Sequence, residues 1–496
     1  MENLFLALQK NKQFKRQITL LQHMRTIPFK ISSTELAQVL HCSLPTLRDD
    51  INALNTNLSD YIKISSPSFG ELALHCIDTV SIDSLIAILT KKTVVYQIID
   101  NLCYGRWHSS QQVLDALLIS RTNLQQILRH MNRTLQLFNI SISTKKFSFI
   151  GKEKDIRVFL FAFYSEFGDR TIVLEDSTTY VERFLSMYQQ TDLPRLHFCH
   201  FRLALWGSIA HIRRKQQRFV SLSEPLKKEI TNQMNFLTFA SFHRRFTDTN
   251  QLDKLLPTDE AVWAYITVLD CIAYTDVLSH AETPLQFVYR WEKCPKIIEE
   301  AHQFLTTTFS RTREFVTDDM MNILESFLIN ARLLMKASAN FEVMTSPLKK
   351  MAIDMYNELY ALWYQQLSQL PQGSNFRFDK VDNLAVSLTL FHASIRKQKQ
   401  QRKKLRVLFA FQGRAGFDDY LAKFSKVLIT DNMQADYFLE RVIDKEVIVQ
   451  LQAGLIICNY DLNIQEEIAC PIVRIPNIPT LADWGRARAM IDRLTN

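Results

Sequence analysis

The chain has 496 residues, enough for several domains with separate hydrophobic cores. It contains only 10 glycines and 13 prolines, which disfavours nucleotide-binding folds and all-β folds because both depend on such turn residues. The formal net charge of +8 is uneven: residues 1–160 hold 19 Lys and Arg against 12 Asp and Glu, or +7, so the basic excess lies where a polyanion could bind.

Targeting and cysteine patterns predict a cytoplasmic protein with no membrane partner. No stretch approaches the roughly 18 consecutive apolar residues that span a bilayer, and the basic residues near the N-terminus follow its short apolar run. The eight cysteines form no CxxC pair. The sequence therefore predicts reduced, mostly buried cysteines and no metal or other cofactor.

Residues 12–75 hold the most informative pattern, an amphipathic helix followed by two short helices around a tight turn at 41–43. Ser33 is the predicted N-cap of the first short helix, while Ser43 can cap the second and Pro45 suits its first turn. Two short helices joined in this way are a helix-turn-helix unit. The apolar residues predicted to lock the pair together are Leu36, Ala37, Val39, Cys42 and Leu47.

The same pattern returns 77 residues later. Ser33 matches Ser110 and Ser43 matches Ser120, and an alternating β-hairpin follows each copy, at 61–75 and 140–151 in the form of a wing. A single copy could be an ordinary helical hairpin, and the second copy could be purely structural. Two copies in register nevertheless favour DNA binding.

The exposed face of each second helix carries polar side chains that can bond to base edges or phosphates. In the first copy, Asp49 and Asn55 also lie on that face. The DNA-binding residues predicted from both copies and their wings are Ser43, Thr46, Arg48, Asn52, Lys63, Arg121, Asn123, Gln125, Gln126, Arg129, Lys145 and Lys146.

Residues 155–400 are predicted to form amphipathic helices arranged as two successive bundles. His197, His200 and His211 are assigned to one predicted helix, 193–216, with His200 and His211 about three turns apart on the same face. A neutral imidazole can accept a phosphoryl group, which would change the local charge. The alternative is a partly buried histidine hydrogen-bonded to a neighbour.

The last hundred residues alternate strand and helix, which predicts a small, mostly parallel sheet. The three predicted strands lie at 404–411, within 447–460 and at 470–476. Helices are predicted after the first strand and at the C-terminus. The loop QGRAG that follows the first strand is only loosely glycine-rich, which is weak support for a phosphate site.

This order of units resembles the Mga/AtxA family of global virulence regulators from Gram-positive bacteria. The resemblance covers essentially the full chain and is most specific in STELAQVLHCSLPTLRDDINALN and in the 193–216 helix. It implies a mainly α, multidomain fold. The implied domains are two winged helix-turn-helix units at 1–76 and 77–160, two helical phosphotransferase-system regulation domains (PRDs) at 161–285 and 286–400, and an EIIB-like α/β domain at 401–496.

The resemblance also implies sites and partners. It places His200 at the usual phosphoacceptor of the first PRD, and His392 two residues beyond the usual position in the second. Leu269–Asp270 and Asn330 stand where further histidines are expected. The EIIB-like domain lacks a phosphoryl-accepting cysteine after its first strand, since Cys458 and Cys470 lie elsewhere. That domain should therefore be non-catalytic and should mediate contacts.

We therefore expect a transcription regulator that activates its promoters. We do not expect an enzyme, because the sequence contains no metal-binding, catalytic-triad or nucleotide-binding motif. The expected partners are double-stranded promoter DNA, a homodimer or higher homo-oligomer formed through the C-terminal half, and a phosphotransferase-system phosphocarrier protein. The alternative function is a protein-interaction scaffold that uses helix-turn-helix folds without DNA.

Overall fold

The structure is a computed structural model of the whole chain. It describes all residues except 1–3, 27–30, 67–69, 77–80, 166–176, 194–195, 249–256, 275–294, 315, 344–346, 403–404, 413–415, 431–432, 440–442, 444, 461, 463–469, 477 and 496. Among the described residues, no helix is both long and apolar enough to cross a bilayer.

The chain divides into two compact units, Met1–Thr389 and Leu390–Asn496. The fold is mainly α, as predicted. The helices of the first unit are α1 (Leu4–Leu8), α2 (Lys12–Thr26), α3 (Ser33–Val39), α4 (Leu44–Asn57), α5 (Ile82–Lys91), α6 (Val94–Tyr104), α7 (Ser110–Leu117), α8 (Arg121–Leu135), α9 (Glu153–Ser165), α10 (Ser177–Gln189), α11 (His200–Lys215), α12 (Glu224–Thr231), α13 (Met234–Asp248), α14 (Thr258–Asp270), α15 (Pro295–Thr312), α16 (Asp318–Ala337) and α17 (Pro347–Ser368). The division falls within α18 (Asp382–Arg402).

The first winged module consists of α2, α3 and α4 with a three-stranded antiparallel sheet. Its strands are β1 (Ile31–Ser32), β2 (Ile62–Ser65) and β3 (Glu71–Cys76), in the order β1-β3-β2. The helix-turn-helix and the wing lie where the sequence predicts them, although part of the wing tip lies outside the described residues.

Two details of this module correct the sequence prediction. The N-cap of α3 is Ser32, whose hydroxyl accepts from the Glu35 amide, and not Ser33. Val39 remains 45% exposed, so it does not help to lock the two helices, while Leu36 and Leu47 are buried as expected.

The second module repeats the arrangement with α6, α7 and α8 and a hairpin of β4 (Ser141–Ser143) and β5 (Ser148–Ile150). The N-cap of α7 is Ser109, one residue before the predicted start, and Gln112 completes a capping box with it. The predicted spacing of 77 residues therefore holds, with Ser32 and Ser109 as the equivalent pair. Both turns also contain a residue with left-handed backbone at this spacing, His41 (φ 50°) and Leu118 (φ 51°).

The helical middle consists of α10 to α17 with the start of α18, so 155–400 is mainly helical as predicted. Helix α11 begins only at His200, so His197 lies outside it. The prediction that placed His197 in the same helix as His200 is therefore wrong at the N-terminal end of that helix. The reason is a β-bridge between Phe198 and Ile272, beside which the Ala273 amide donates to the His197 carbonyl.

The second unit contains a four-stranded, all-parallel sheet in the order β7-β6-β8-β9. Its strands are β6 (Leu405–Phe411), β7 (Met433–Leu439), β8 (Leu455–Cys458) and β9 (Ile472–Arg474), and its further helices are α19 (Phe417–Ser425), α20 (Lys445–Gln450) and α21 (Leu481–Thr495). Alternate residues of β6 from Val407 to Phe411 enter separate cores on the two faces, so this part of the strand is apolar throughout.

The parallel sheet was predicted, but two of its elements were not. Strand β7 was missed, and residues 447–450, predicted as part of a strand, lie in helix α20. Periodicity cannot separate a short apolar helix from a buried strand. Cys458 is buried at the end of β8, and the loop residues 413–415 lie outside the described residues.

Candidate nucleic-acid interface

The first recognition helix, α4, presents a polar face at its N-terminal half. Ser43 caps it: its hydroxyl accepts from the Thr46 amide at 3.3 Å and lies 2.9 Å from the Thr46 hydroxyl. Arg48 and Asn52 follow on the exposed surface. The cap uses part of the hydrogen-bonding capacity of Ser43 and Thr46. Arg48 and Asn52 are therefore better placed to bind a ligand.

A buried ion pair fixes α4 against α2. The Arg16 guanidinium donates to both carboxylate oxygens of Asp50, at 2.7 and 3.2 Å, and Asp50 is only 1% exposed. The hydrogen bond to Asp50 raises the pKa of Arg16. The pairing neutralises one of the two aspartates in the middle of α4, which lowers the repulsion that this helix would exert on a polyanion.

Asn55 does not belong to the exposed face, contrary to the sequence prediction. Its side chain accepts from the Ile64 amide at 2.7 Å and donates to the Ile64 carbonyl at 2.9 Å. The second module repeats this arrangement: Asn132 accepts from the Ile142 amide at 2.7 Å and donates to its carbonyl at 3.2 Å. Each asparagine therefore fastens a wing to its recognition helix, a role signalled only by the 77-residue spacing between Asn55 and Asn132.

The second recognition helix, α8, has two different polar faces. Arg121, Gln125 and Arg129 are exposed at intervals of four residues, and none has a partner within the part of the chain that the structure describes. Gln126 is also exposed, but its Oε1 accepts from Lys10 Nζ at 2.6 Å. The first face is open to a ligand, whereas the second is engaged by the N-terminal segment.

Helix α1 joins the two modules. The Ala7 carbonyl accepts from Thr134 Oγ1 at 3.1 Å and lies 3.0 Å from His130 Nε2, so α1 packs along α8. A groove of about 560 Å³ beside this contact includes Lys10 and Asn123. The predicted contact residues Asn123 and Gln126 therefore lie at the junction of the modules, and sequence patterns did not reveal the role of Lys10.

Basic residues of the wings flank the recognition helices. Lys63 is exposed on β2, and Lys145 and Lys146 are exposed in the turn between β4 and β5, as predicted. Each recognition helix keeps a solvent-exposed face within the described chain, although α1 packs along α8. All twelve predicted contact residues thus lie on the two modules, and all except Thr46, which is half-buried, are exposed.

The histidines differ sharply in exposure. His200 is exposed in the first turn of α11, while His392 is fully buried, so its ring is not open to a second protein in this conformation. His211 is half-buried, and burial together with Lys215 and Arg214 lowers its pKa.

The positions that replace expected histidines are engaged in the core. The Asp270 carboxylate accepts from Trp206 Nε1 at 2.8 Å and pairs with Arg202 at 2.5 Å. Asn330 is buried and donates to the Tyr274 hydroxyl. These residues therefore connect helices, and His200 is the only predicted phosphoacceptor that lies on the surface.

Comparison with known proteins matches two family domains in tandem. Residues 11–68 match the "M protein trans-acting positive regulator (MGA) HTH domain", and residues 78–164 match the "Mga helix-turn-helix domain". The chain is 26% identical over 227 residues to the capsule synthesis positive regulator AcpA of Bacillus anthracis, covering 44% of this chain and 46% of that protein.

A putative trans-acting regulator of Streptococcus pneumoniae serotype 4 (strain ATCC BAA-334 / TIGR4) is 24% identical over 157 residues, covering 32% of this chain and 31% of that protein. The chain thus spans less than half the length of these curated relatives. The two matched domains coincide with the two winged modules. On these grounds residues 11–164 of the chain are similar to the helix-turn-helix region of Mga-type regulators.

Proposed function

We propose that this protein is a DNA-binding positive regulator of transcription. One observation carries the proposal: the chain holds two winged helix-turn-helix modules in register, each with a solvent-facing polar recognition helix and a basic wing. Both relatives are named as regulators, and one as a positive regulator, which supports the sign of the effect.

The residues divide by the part of the duplex that they suit. Arg121, Gln125 and Arg129 lie on one face of α8 with long side chains that can form paired hydrogen bonds with base edges. The wing residues Lys145 and Lys146 suit phosphates, which position the protein without selecting a sequence. In the first module, we propose that Arg48 and Asn52 contact bases while Lys63, Ser43 and Thr46 contact the backbone.

The helical middle and the C-terminal unit would supply regulation. We propose that 161–285 and 286–400 act as PRD-type domains and that the EIIB-like unit from about 401 to 496 contributes to homodimer formation. His200 would accept a phosphoryl group on an imidazole nitrogen from a phosphocarrier protein, which would add close to two negative charges to the first turn of α11. His392 would need a local opening before it could react, because its ring is fully buried.

DNA binding is tested with the full chain and two matched substitutions. Arg129→Gln removes one cation from the exposed face of α8, whereas Arg311→Gln removes one from the exposed surface of α15, far along the chain. Binding to promoter duplexes is measured by fluorescence anisotropy at several salt concentrations. We expect R129Q to lose about 10-fold or more in affinity and R311Q to behave as wild type.

The pattern of loss identifies the contact. If Arg129 binds a phosphate, the salt slope falls by about one unit for every sequence; if it binds a base, discrimination between duplexes falls instead. Wild-type protein that shows no salt-dependent binding to any duplex would reject the regulator function in favour of a protein-interaction scaffold.

The phosphorylation proposal has a separate test. The full chain is incubated with phosphocarrier proteins and examined for acid-labile phosphohistidine. We expect labelling of wild type and of His392→Ala, and its loss in His200→Ala. Equal labelling of His200→Ala and wild type would contradict the assignment of His200.

A further inference from the structure

A cavity of about 680 Å³ lies between the second winged module and the C-terminal end of α11. Its walls come from the end of α6, the tip of the second wing, the start of α9 and residues 216–219 after α11. The volume lies within the range of small-molecule sites, which is about 300–1,000 Å³, and such sites favour junctions between domains. The cavity is therefore large enough for a metabolite but too small for a duplex.

The lining of the cavity is cationic. Lys146, Arg213 and Arg218 line it with a single carboxylate, Glu153, so the lining carries a formal excess of two positive charges. Glu153 is already paired with Arg213, at 2.8 Å through two hydrogen bonds. Lys146 and Arg218 are exposed and have no ion-pair partner among the residues that the structure describes. Two cations are thus available to an incoming anion.

The remaining walls provide aromatic surface. Trp107, Phe149 and Phe219 are partly exposed at the cavity, and Phe147 lies beneath with its ring centroid 6.2 Å from that of Trp107. Aromatic rings beside a guanidinium and an ammonium suit a ligand with an apolar or planar body and a charged end.

The walls are held together before any ligand binds. Gln216 Nε2 donates to the Cys103 carbonyl at 2.7 Å, which joins the end of α11 to the end of α6. Gly105 permits this approach, because a Cβ there would meet Gln216 at 2.9 Å on a backbone with φ +65°. Because the site is pre-formed, little of the free energy of ligand binding would be spent on ordering the protein.

We propose that this cavity binds a small anion with phosphate or carboxylate groups through Arg218 and Lys146, with any uncharged part of the ligand against Trp107. Binding would draw Lys146 away from the duplex and weaken DNA binding. This second effect rests on the proposed function, whereas ligand binding itself does not. The cavity would thereby connect the second wing to α11, the helix that begins at His200.

Ligand binding is measured on the full chain without DNA. Tryptophan fluorescence is followed during titration with AMP, sodium pyrophosphate and citrate, which separate phosphate from carboxylate recognition, and with adenosine as the uncharged control at matched ionic strength. Of the six tryptophans, Trp107 lies in the cavity wall, and Trp107→Phe removes its signal. We expect saturable quenching by at least one anion and none by adenosine.

Matched substitutions identify the site. Arg218→Gln removes a cavity cation, and Arg311→Gln removes an exposed cation elsewhere. We expect R218Q to bind the anion about 10- to 100-fold more weakly, the usual effect of losing a charge-assisted hydrogen bond, and R311Q to bind as wild type. Three results would overturn the proposal. They are the absence of saturable quenching by any of the three anions up to about 10 mM, anion affinity in R218Q equal to that of wild type, and anion affinity that falls as much in R311Q as in R218Q.

The connection to DNA is measured separately by anisotropy. Saturating anion should weaken duplex binding of wild type about 3- to 10-fold, as the loss of one phosphate contact predicts, and should leave that of R218Q unchanged. An anion that binds the cavity but leaves DNA affinity unaltered would overturn the connection. Absence of DNA binding in all samples would instead contradict the proposed function while leaving the ligand site standing.

Discussion

Replacing Asn132 by Ala should release the second wing from its recognition helix. The asparagine accepts from the Ile142 amide at 2.7 Å and donates to the Ile142 carbonyl at 3.2 Å, and Ile142 is 3% exposed. The alanine variant leaves both backbone groups of Ile142 without these partners. The wing strand β4 has only three residues, so few other contacts compensate.

The size of the effect follows from two hydrogen bonds. Each contributes about 0.5–1.5 kcal/mol to stability, so the free energy of opening the wing should fall by about 1–3 kcal/mol. An amide that exchanges through this opening should then exchange with deuterium about 5- to 150-fold faster. DNA affinity should also fall, because the wing lysines would no longer be held beside α8 and would lose entropy on binding.

Hydrogen–deuterium exchange on peptides covering 139–150 measures the change directly. Asn132→Asp is an intermediate control, since its carboxylate can accept from the Ile142 amide but cannot donate to the carbonyl. Asn55→Ala should accelerate exchange at Ile64 in the first wing only. Unchanged exchange at Ile142 in N132A, or equal acceleration in both wings, would refute the role assigned to these asparagines.

Three further predictions concern stability. Glu342→Gln should flatten the pH dependence of unfolding, because burial raises the pKa of Glu342 to about 8 in the folded protein. In wild type, Glu342 ionises near pH 4.5 in the unfolded chain but stays protonated in the folded chain, so the free energy of unfolding falls between those pH values by up to about 1.4 kcal/mol per pH unit. Urea titrations at pH 5 to 8 would measure this slope. A flat wild-type profile there would contradict this. Glu260→Gln should cost about 3 kcal/mol, measured by chemical unfolding, because it removes the charge that pairs bidentately with the fully buried Arg157 and leaves only the 3.2 Å ion pair to Glu153. A loss below about 1 kcal/mol would count against this. Leu118→Gly should add about 0.5–1 kcal/mol to the free energy of unfolding, because Leu118 is 91% exposed with left-handed backbone; lower stability in thermal melts would refute that.

The elements of the two winged modules could be predicted because their signals are local. Ser43 and Ser120 cap the recognition helices as the sequence indicates, and the apolar spacing places Leu47 and Leu124 inside. Each signal lies within a few residues of the element that it specifies. The limits of such signals appear at helix ends, where Ser32 and not Ser33 caps α3.

Other features depend on residues far apart in the chain. Ala7 meets Thr134, 127 residues later, and Arg157 meets Glu260, 103 residues later. No local pattern distinguishes an arginine that will be fully buried from one that will face solvent. The same reason explains why Asn55 was assigned to the exposed face: its partner Ile64 lies on a wing whose return against α4 is a tertiary event.

The amino-acid sequence by itself determined the repeated modules, the helical middle and the parallel C-terminal sheet, since periodicity and end-capping are set by neighbours along the chain. Only the tertiary structure decided which face of α8 stays open, how α1 joins the modules and where the cationic cavity forms. Those outcomes depend on which distant surfaces pack together, because packing buries some polar groups, leaves others in solvent and gives each buried one its partner.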